Sequence, residues 1–306
     1  MTLTKTMSGL SNEQIDTFDR EGMLCLPGFL SPGEISTMLK RSHELLDEFD
    51  ISNHPLTQFK TNDNDHVGDE YFFNSSDKIG FFFDVDAFDD SKQLKFPVSQ
   101  AINKIGHGLH MIEPTFADIT LSDKVKAIIK SLKYVDPRVL QSMLIFKQPI
   151  DDKVANERSN AVPPHTDGTF LFTEPQTAIG FWFALEDCTI DNGCLSYLPG
   201  SHKVYPITKR FVKINQGKDG CNFKSVGENE SVKEIPTEGY KTVECKAGSL
   251  ILINNSVLHK SENNRSKKSR FAYAFHVIDG TAKYDHLNWL QVPPGPEGGT
   301  QFTRLY

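Results

Sequence analysis

The chain has 306 residues, 38% hydrophobic and 24% charged, a composition that can bury a substantial core and is not that of a disordered chain. Its net charge is −7 and its basic residues are scattered, which argues against a nucleic-acid partner, since such proteins carry a basic stripe. The five cysteines form no C-x-x-C pattern and read as reduced thiols, and no apolar run reaches the roughly 20 residues of a membrane span.

In chain order, Ser11-Asn12-Glu13-Gln14 is a capping-box pattern that opens a helix to about Arg20. A short apolar strand, Met23 to Phe29, follows. Ser31-Pro32-Gly33-Glu34 is a second capping box, with proline where its missing N–H is harmless, and it opens a helix to about Phe49. Residues 50–70 are polar and read as a loop, and Tyr71 to Phe88 as an aromatic-rich strand and turn. Pro97 to Met111 and Ser122 to Leu132 read as helices. From Val139 the texture changes to short strands divided by Gly, Pro and Asn turns: 139–147, 178–186, 194–198, 241–245, 249–253 and 270–278. A polar insertion covers 212–235.

Strands after a helical lead-in predict a mainly β protein, a jelly roll with helices packed on one sheet. The expected organisation is one domain over 1–292, with a helix-rich lead-in (1–135), a jelly-roll core (136–280) and a loose tail from 293 to 306. No secretory leader and no Ser-Lys-Leu ending are visible, so a cytoplasmic location is the expectation.

Two short elements carry chemistry. In Pro164-His165-Thr166-Asp167-Gly168 an extended backbone would put His165 and Asp167 on one face. In Ile251 to Ser261 an apolar strand leaves the core and presents His259. Two imidazoles and one carboxylate on one face of an ion leave three positions open, the facial triad of non-haem iron(II) oxygenases. A zinc site is the competing reading, but the H-E-x-x-H of a zincin is absent, as is the G-x-S-x-G of a serine hydrolase. Arg270 lies eleven residues past His259, and a hairpin through Glu262 to Lys268 would bring it back to the metal end. A guanidinium there could grip a distal carboxylate, with Ser261 donating beside it. His276 shares the strand parity of Arg270, which would put it inside the barrel. His202 closes a P-G-S-H turn and reads as structural, and His107 and His110 as neighbours on one helical face.

The spacing of the ligands and Arg270 resembles the phytanoyl-CoA dioxygenase family of 2-oxoglutarate oxygenases. The leader Phe18-x-x-x-Gly22 with Leu26-Pro27-Gly28-Phe29-Leu30, and Gly193 to His202, agree, as do stretches at 102–107, 141–149, 172–175 and 288–291. The resemblance implies a double-stranded β-helix that binds Fe(2+) and uses 2-oxoglutarate and O2 as cosubstrates. It also implies that Lys104, Met143 and Trp182 line the 2-oxoglutarate pocket beside Ser261 and Arg270. The implied activity is hydroxylation of a small-molecule substrate, and Asp167 disfavours halogenation, since related halogenases replace that carboxylate with a small residue. No protein partner is implied. The alternative is a non-catalytic 2-oxoglutarate-binding or sensing protein on the same fold.

Overall fold

The computed structural model describes residues 9–59, 70–150, 159–215, 220–227, 234–293 and 301–306. Both serine caps form as expected. Ser11 and Ser31 accept from the backbones of Gln14 and Glu34, whose side chains bond back, and so start helices Asn12–Glu21 and Pro32–Asp47. Lys124, in helix Asp123–Ser131, donates to Glu34 at 2.6 Å and ties the lead-in helices together.

In chain order the strands are β1 (Met23–Leu26), β2 (Ile79–Phe83), β3 (Ile102–His107), β4 (Pro137–Lys147), β5 (Val162–His165), β6 (Thr173–Glu174), β7 (Ile179–Ala184) and β8 (Leu195–Tyr197). They continue as β9 (Lys209–Lys213), β10 (Cys221–Ser225), β11 (Lys241–Val243), β12 (Leu250–Asn254), β13 (His259–Ser261), β14 (Arg270–Asp279), β15 (Lys283–Tyr284) and β16 (Thr303–Arg304). A large antiparallel sheet runs β1-β12-β7-β14-β4-β3-β2, with β16 beside β4; a smaller one runs β11-β8-β13-β5. This is a jelly roll, mainly β as expected.

Strand parity divides the large sheet into two worlds. Phe271, Tyr273, Phe275 and Val277 of β14 join Phe181, Phe183, Leu250, Leu252, Leu144 and Phe146 in a core with the lead-in helices. Ala272 and Ala274 join Trp182, Ile251, Ile253 and Met143 on the other side, facing the smaller sheet.

Four expectations need correction. The helix over 97–111 is not there: single turns Val98–Ala101 and Leu109–Ile112 flank β3. β3 pairs with both β2 and β4, but its sequence, Ile102-Asn103-Lys104-Ile105-Gly106-His107, spaces its two isoleucines three apart, which mimics helical spacing instead of strand alternation. The hairpin that was to return Arg270 is a crossover. Both edges of β13 are already taken by β5 and β8, so β14 joins the other sheet, against β4 and β7. The tail is not loose where described, since Phe302 and Leu305 are buried and hold β16 on β4. The polar insertion starts inside a strand, since β9 runs on to Lys213 and pairs antiparallel with β10 within the insertion, anchored by buried Phe211 and Cys221. Parts of the insertion (216–219, 228–233), of the 50–70 loop (60–69) and of the tail (294–300) lie outside the described residues.

Candidate metal centre

The site lies between the sheets. His165 ends β5 and His259 begins β13, where they are register partners across the smaller sheet, with ring centroids 4.2 Å apart. Thr166 is extended (φ −122°, ψ 136°), so Asp167 follows on the same side as His165, and Thr166 turns to Thr169 instead. The Nε2 atoms of His165 and His259 lie 3.8 and 3.6 Å from Asp167 Oδ1. Donor atoms of the three residues all fall within 4.8 Å of one another, close enough to share one ion.

The two imidazoles are aimed alike. His165 Nδ1 lies 2.9 Å from the Pro163 carbonyl, and His259 Nδ1 3.0 Å from that of Val257. A carbonyl can only accept, so each Nδ1 carries the proton and each Nε2 lone pair is free for a metal. Burial, reinforced by His259, pushes His165 down to about 4, which keeps it neutral near neutral pH. Burial would raise Asp167, but His259, His276 and His165 outweigh it and hold the carboxyl below the usual range.

His276 does sit inside the barrel. Its Nε2 is 3.3 Å from Asp167 Oδ2, and Gln141 Nε2 lies 3.4 Å from its Nδ1. If Gln141 donates there, Nε2 bears the proton and donates to Asp167. One oxygen of Asp167 is thereby occupied and the other left towards the two ligand histidines. Gly180 makes room for this contact, because a Cβ there would stand 3.3 Å from Asp167 Oδ2 and 3.4 Å from His276 Nε2.

Arg270 enters from the large sheet. It is 3% exposed, its guanidinium is 5.2 Å from the Trp182 ring, and it donates to the Gly193 carbonyl. Met143 and Trp182 lie on either side of Ala274, on the site side of β4 and β7. Ser261 shares buried β13 with His259. Lys104, on β3 rather than a helix, stands opposite Ile145 on the site side. Its ammonium is 3.4 Å from the Phe59 ring centroid, with Phe72 and Phe82 farther out, and burial pushes it down to about 7.

His107, His110 and His202 make structural contacts. His107 is on β3, not a helix, and its Nδ1 is 2.8 Å from Ser75 Oγ. His110 is 2.7 Å from Ser142 Oγ, and His202 is 2.9 Å from the Asp19 carbonyl. Sequence reasoning missed Lys147. It lies directly opposite Arg270, 4% exposed, and donates to Ser261 Oγ at 2.8 Å. Parity with Met143 was the available signal, since 143, 145 and 147 share one side of β4.

Comparison with known proteins fits this geometry. The family model for phytanoyl-CoA dioxygenase (PhyH) matches residues 18–272. A phytanoyl-CoA dioxygenase of Arabidopsis thaliana is 41% identical over 289 residues, covering 94% of this chain and 96% of that one. The phytanoyl-CoA dioxygenase domain-containing protein 1 homolog of Caenorhabditis elegans is 40% identical over 280 residues, 90% of this chain and 94% of its own. Among solved structures, the non-haem α-ketoglutarate-dependent epimerase SnoN, in complex with Fe3+ and α-ketoglutarate, superposes with a TM-score of 0.62 at 16% identity, covering 96% of this chain and 98% of that chain. EctD from S. alaskensis, with 2-oxoglutarate and 5-hydroxyectoine, gives 0.59 at 17%, covering 91% and 79%. At such identities the two structures speak for the fold alone. Among the described residues no helix is long and apolar enough to cross a membrane.

Proposed function

Because the chain belongs to the phytanoyl-CoA dioxygenase family, we propose that it is an Fe(II)- and 2-oxoglutarate-dependent dioxygenase that hydroxylates a C–H bond of a small molecule. The observation that carries the reading is the meeting of His165, Asp167 and His259, with both Nε2 lone pairs turned to the carboxylate.

The donor set fits the ion. Two neutral imidazoles and one ionised carboxylate on one side suit iron(II) and leave positions for a keto acid and O2. Iron(II) held there would supply O2 activation coupled to decarboxylation of 2-oxoglutarate to succinate and CO2. The chain's own residues do the rest. His276 holds the second oxygen of Asp167, so the ligand carboxylate does not swing. Arg270, whose buried Nε has no hydrogen-bond partner, supplies the charge for a distal carboxylate, with Ser261 beside it. Met143 and Trp182 give the pocket apolar walls. On this reading Lys104 lines the pocket at the β3 side.

The intact ligand set favours catalysis over the non-catalytic 2-oxoglutarate-binding alternative. Anaerobic protein loaded with Fe(II) should develop a visible charge-transfer band when 2-oxoglutarate is added, then release succinate under O2. A band without succinate would favour the sensor, and no metal-dependent binding of the keto acid would end the dioxygenase reading.

A further inference from the structure

We infer that Lys147 acts with Arg270 as a two-cation seat for the remote carboxylate of a 2-oxo dicarboxylate, and that Lys147 sets the preference for a diacid over a 2-oxo monoacid. The inference rests on the dioxygenase reading and deepens it.

Lys147 and Arg270 are direct register partners across β4 and β14, 4% and 3% exposed. Two buried cations side by side repel, and among the described residues neither makes an ion pair with a carboxylate. Burial first, and then Arg270, push Lys147 well below the ordinary lysine range, and burial lowers Arg270; Asp84 and Glu262 on Lys147, and Cys188, Cys194, Cys245 and Glu186 on Arg270, are lesser influences. Such a pair is costly unless an anion joins it.

The hydrogen bonds show where that anion would fit. The Lys147 ammonium donates to Ser261 Oγ at 2.8 Å and to the Asn160 carbonyl at 2.7 Å. With an anion in place to hold Lys147 as an ammonium, it has three protons, so one remains for that anion. Ser261, accepting from Lys147, keeps its own hydroxyl hydrogen to give. Arg270 donates to the Gly193 carbonyl while its buried Nε has no partner. The free donors belong to three neighbouring side chains, and a carboxylate offers enough acceptors for all of them. Gly193 lets the cations approach: at φ +71°, any Cβ there would fall 2.6 Å from Lys147 Cε.

A 2-oxo monoacid can still chelate a metal through its keto and adjacent carboxylate oxygens, but it presents no charge to this seat. Calorimetric titration of the Mn(II)-loaded full chain with 2-oxoglutarate and with 2-oxobutyrate tests the difference. Lys147→Met should weaken 2-oxoglutarate about 10-fold or more, the effect of losing a charge-assisted bond, and leave 2-oxobutyrate unchanged. Equal weakening of both acids would show a scaffolding lysine and overturn the inference, as would unchanged 2-oxoglutarate binding. Should the methionine variant misfold, Lys147→Gln, which keeps a donor for the Asn160 carbonyl, carries the same comparison. Failure of the wild type to bind either acid in a metal-dependent way would instead overturn the dioxygenase reading, and this inference with it.

Discussion

The two sides of β14 are built from alternate residues of one ten-residue strand, yet they follow opposite rules. Towards the helices stand Phe271, Tyr273, Phe275 and Val277, all at most 5% exposed. Their rings interlock: Phe275 stacks on Phe181 at 4.8 Å and 9°, Phe116 lies 4.9 Å from Tyr273, and the Tyr273 hydroxyl reaches Thr120 at 2.6 Å. Towards the smaller sheet stand Arg270, Ala272, Ala274 and His276. Two small residues occupy the middle, and two polar ones, Arg270 and His276, stand at the ends. One side therefore carries stability through filled volume, and the other carries chemistry through space and placed charge. Mutations on the two sides should separate these properties.

The largest effect is expected on the chemical side. Asp167→Ala removes the one anionic ligand and leaves three imidazoles without the carboxylate they surround. Coupled succinate formation and iron retention should both be lost while the fold persists, as checked by succinate assay, metal analysis and circular dichroism. Undiminished turnover would refute the ligand assignment. On the filled side, Phe275→Ala should cost about 3–5 kcal/mol in denaturant unfolding, the usual result of a large cavity. Metal affinity of the folded variant should stay at the wild-type value; a marked loss would mean that the two sides are not separable. Arg270→Ala comes next, at about 1.5–3 kcal/mol of keto-acid binding for a lost charge-assisted pair. The 2-oxoglutarate concentration for half-maximal turnover should rise by about 10-fold or more. If that dependence stays put, the carboxylate anchor lies elsewhere.

How much of this was legible beforehand follows the same division. The strands bounding the site, β4, β7, β12 and β14, were readable because apolar and β-branched residues cluster between turn residues. His165 and Asp167 could be paired because period-two geometry is local. What failed was not local. Nothing between His259 and Arg270 announces a crossover rather than a hairpin; that depends on β5 and β8 already occupying the edges of β13. Nor does the turn reveal that Asn264, fully buried, clamps it by donating to the carbonyls of Lys147 and Lys268. The strand at β3 was hidden because Ile102 and Ile105 stand at helical spacing, and Lys104 and His107, both buried, look like residues of a solvated face. Lys147 was hidden because a lysine next to Gln148 and Pro149 looks like a strand end in water, when it is in fact buried against Arg270.

The smallest expected effect compares histidines on opposite sides of the same sheet. His276 meets the Asp167 carboxylate on the chemical side. His110 belongs to the filled side, its Nδ1 bound to Ser142 and its buried Nε2 without a hydrogen-bond partner. Burial alone pushes His110 from 6.5 to about 4, so in the folded chain it stays neutral where the unfolded chain already takes up a proton. Its contribution to stability is complete above pH 6.5 and is lost progressively as pH falls towards 4. By pH 5.5 the loss from this one residue should be about 1 kcal/mol. His110→Gln alters the absolute stability as well, so the slope is the informative quantity. The drop in unfolding free energy between pH 7 and pH 5.5 should shrink by about 1 kcal/mol in the variant. Because His107 has its own buried imidazole and keeps titrating in both proteins, the difference between slopes isolates His110. Identical slopes would mean that the ring is reached by water or a counter-charge on folding, and that the helix-facing side is less dry than its aromatic packing implies.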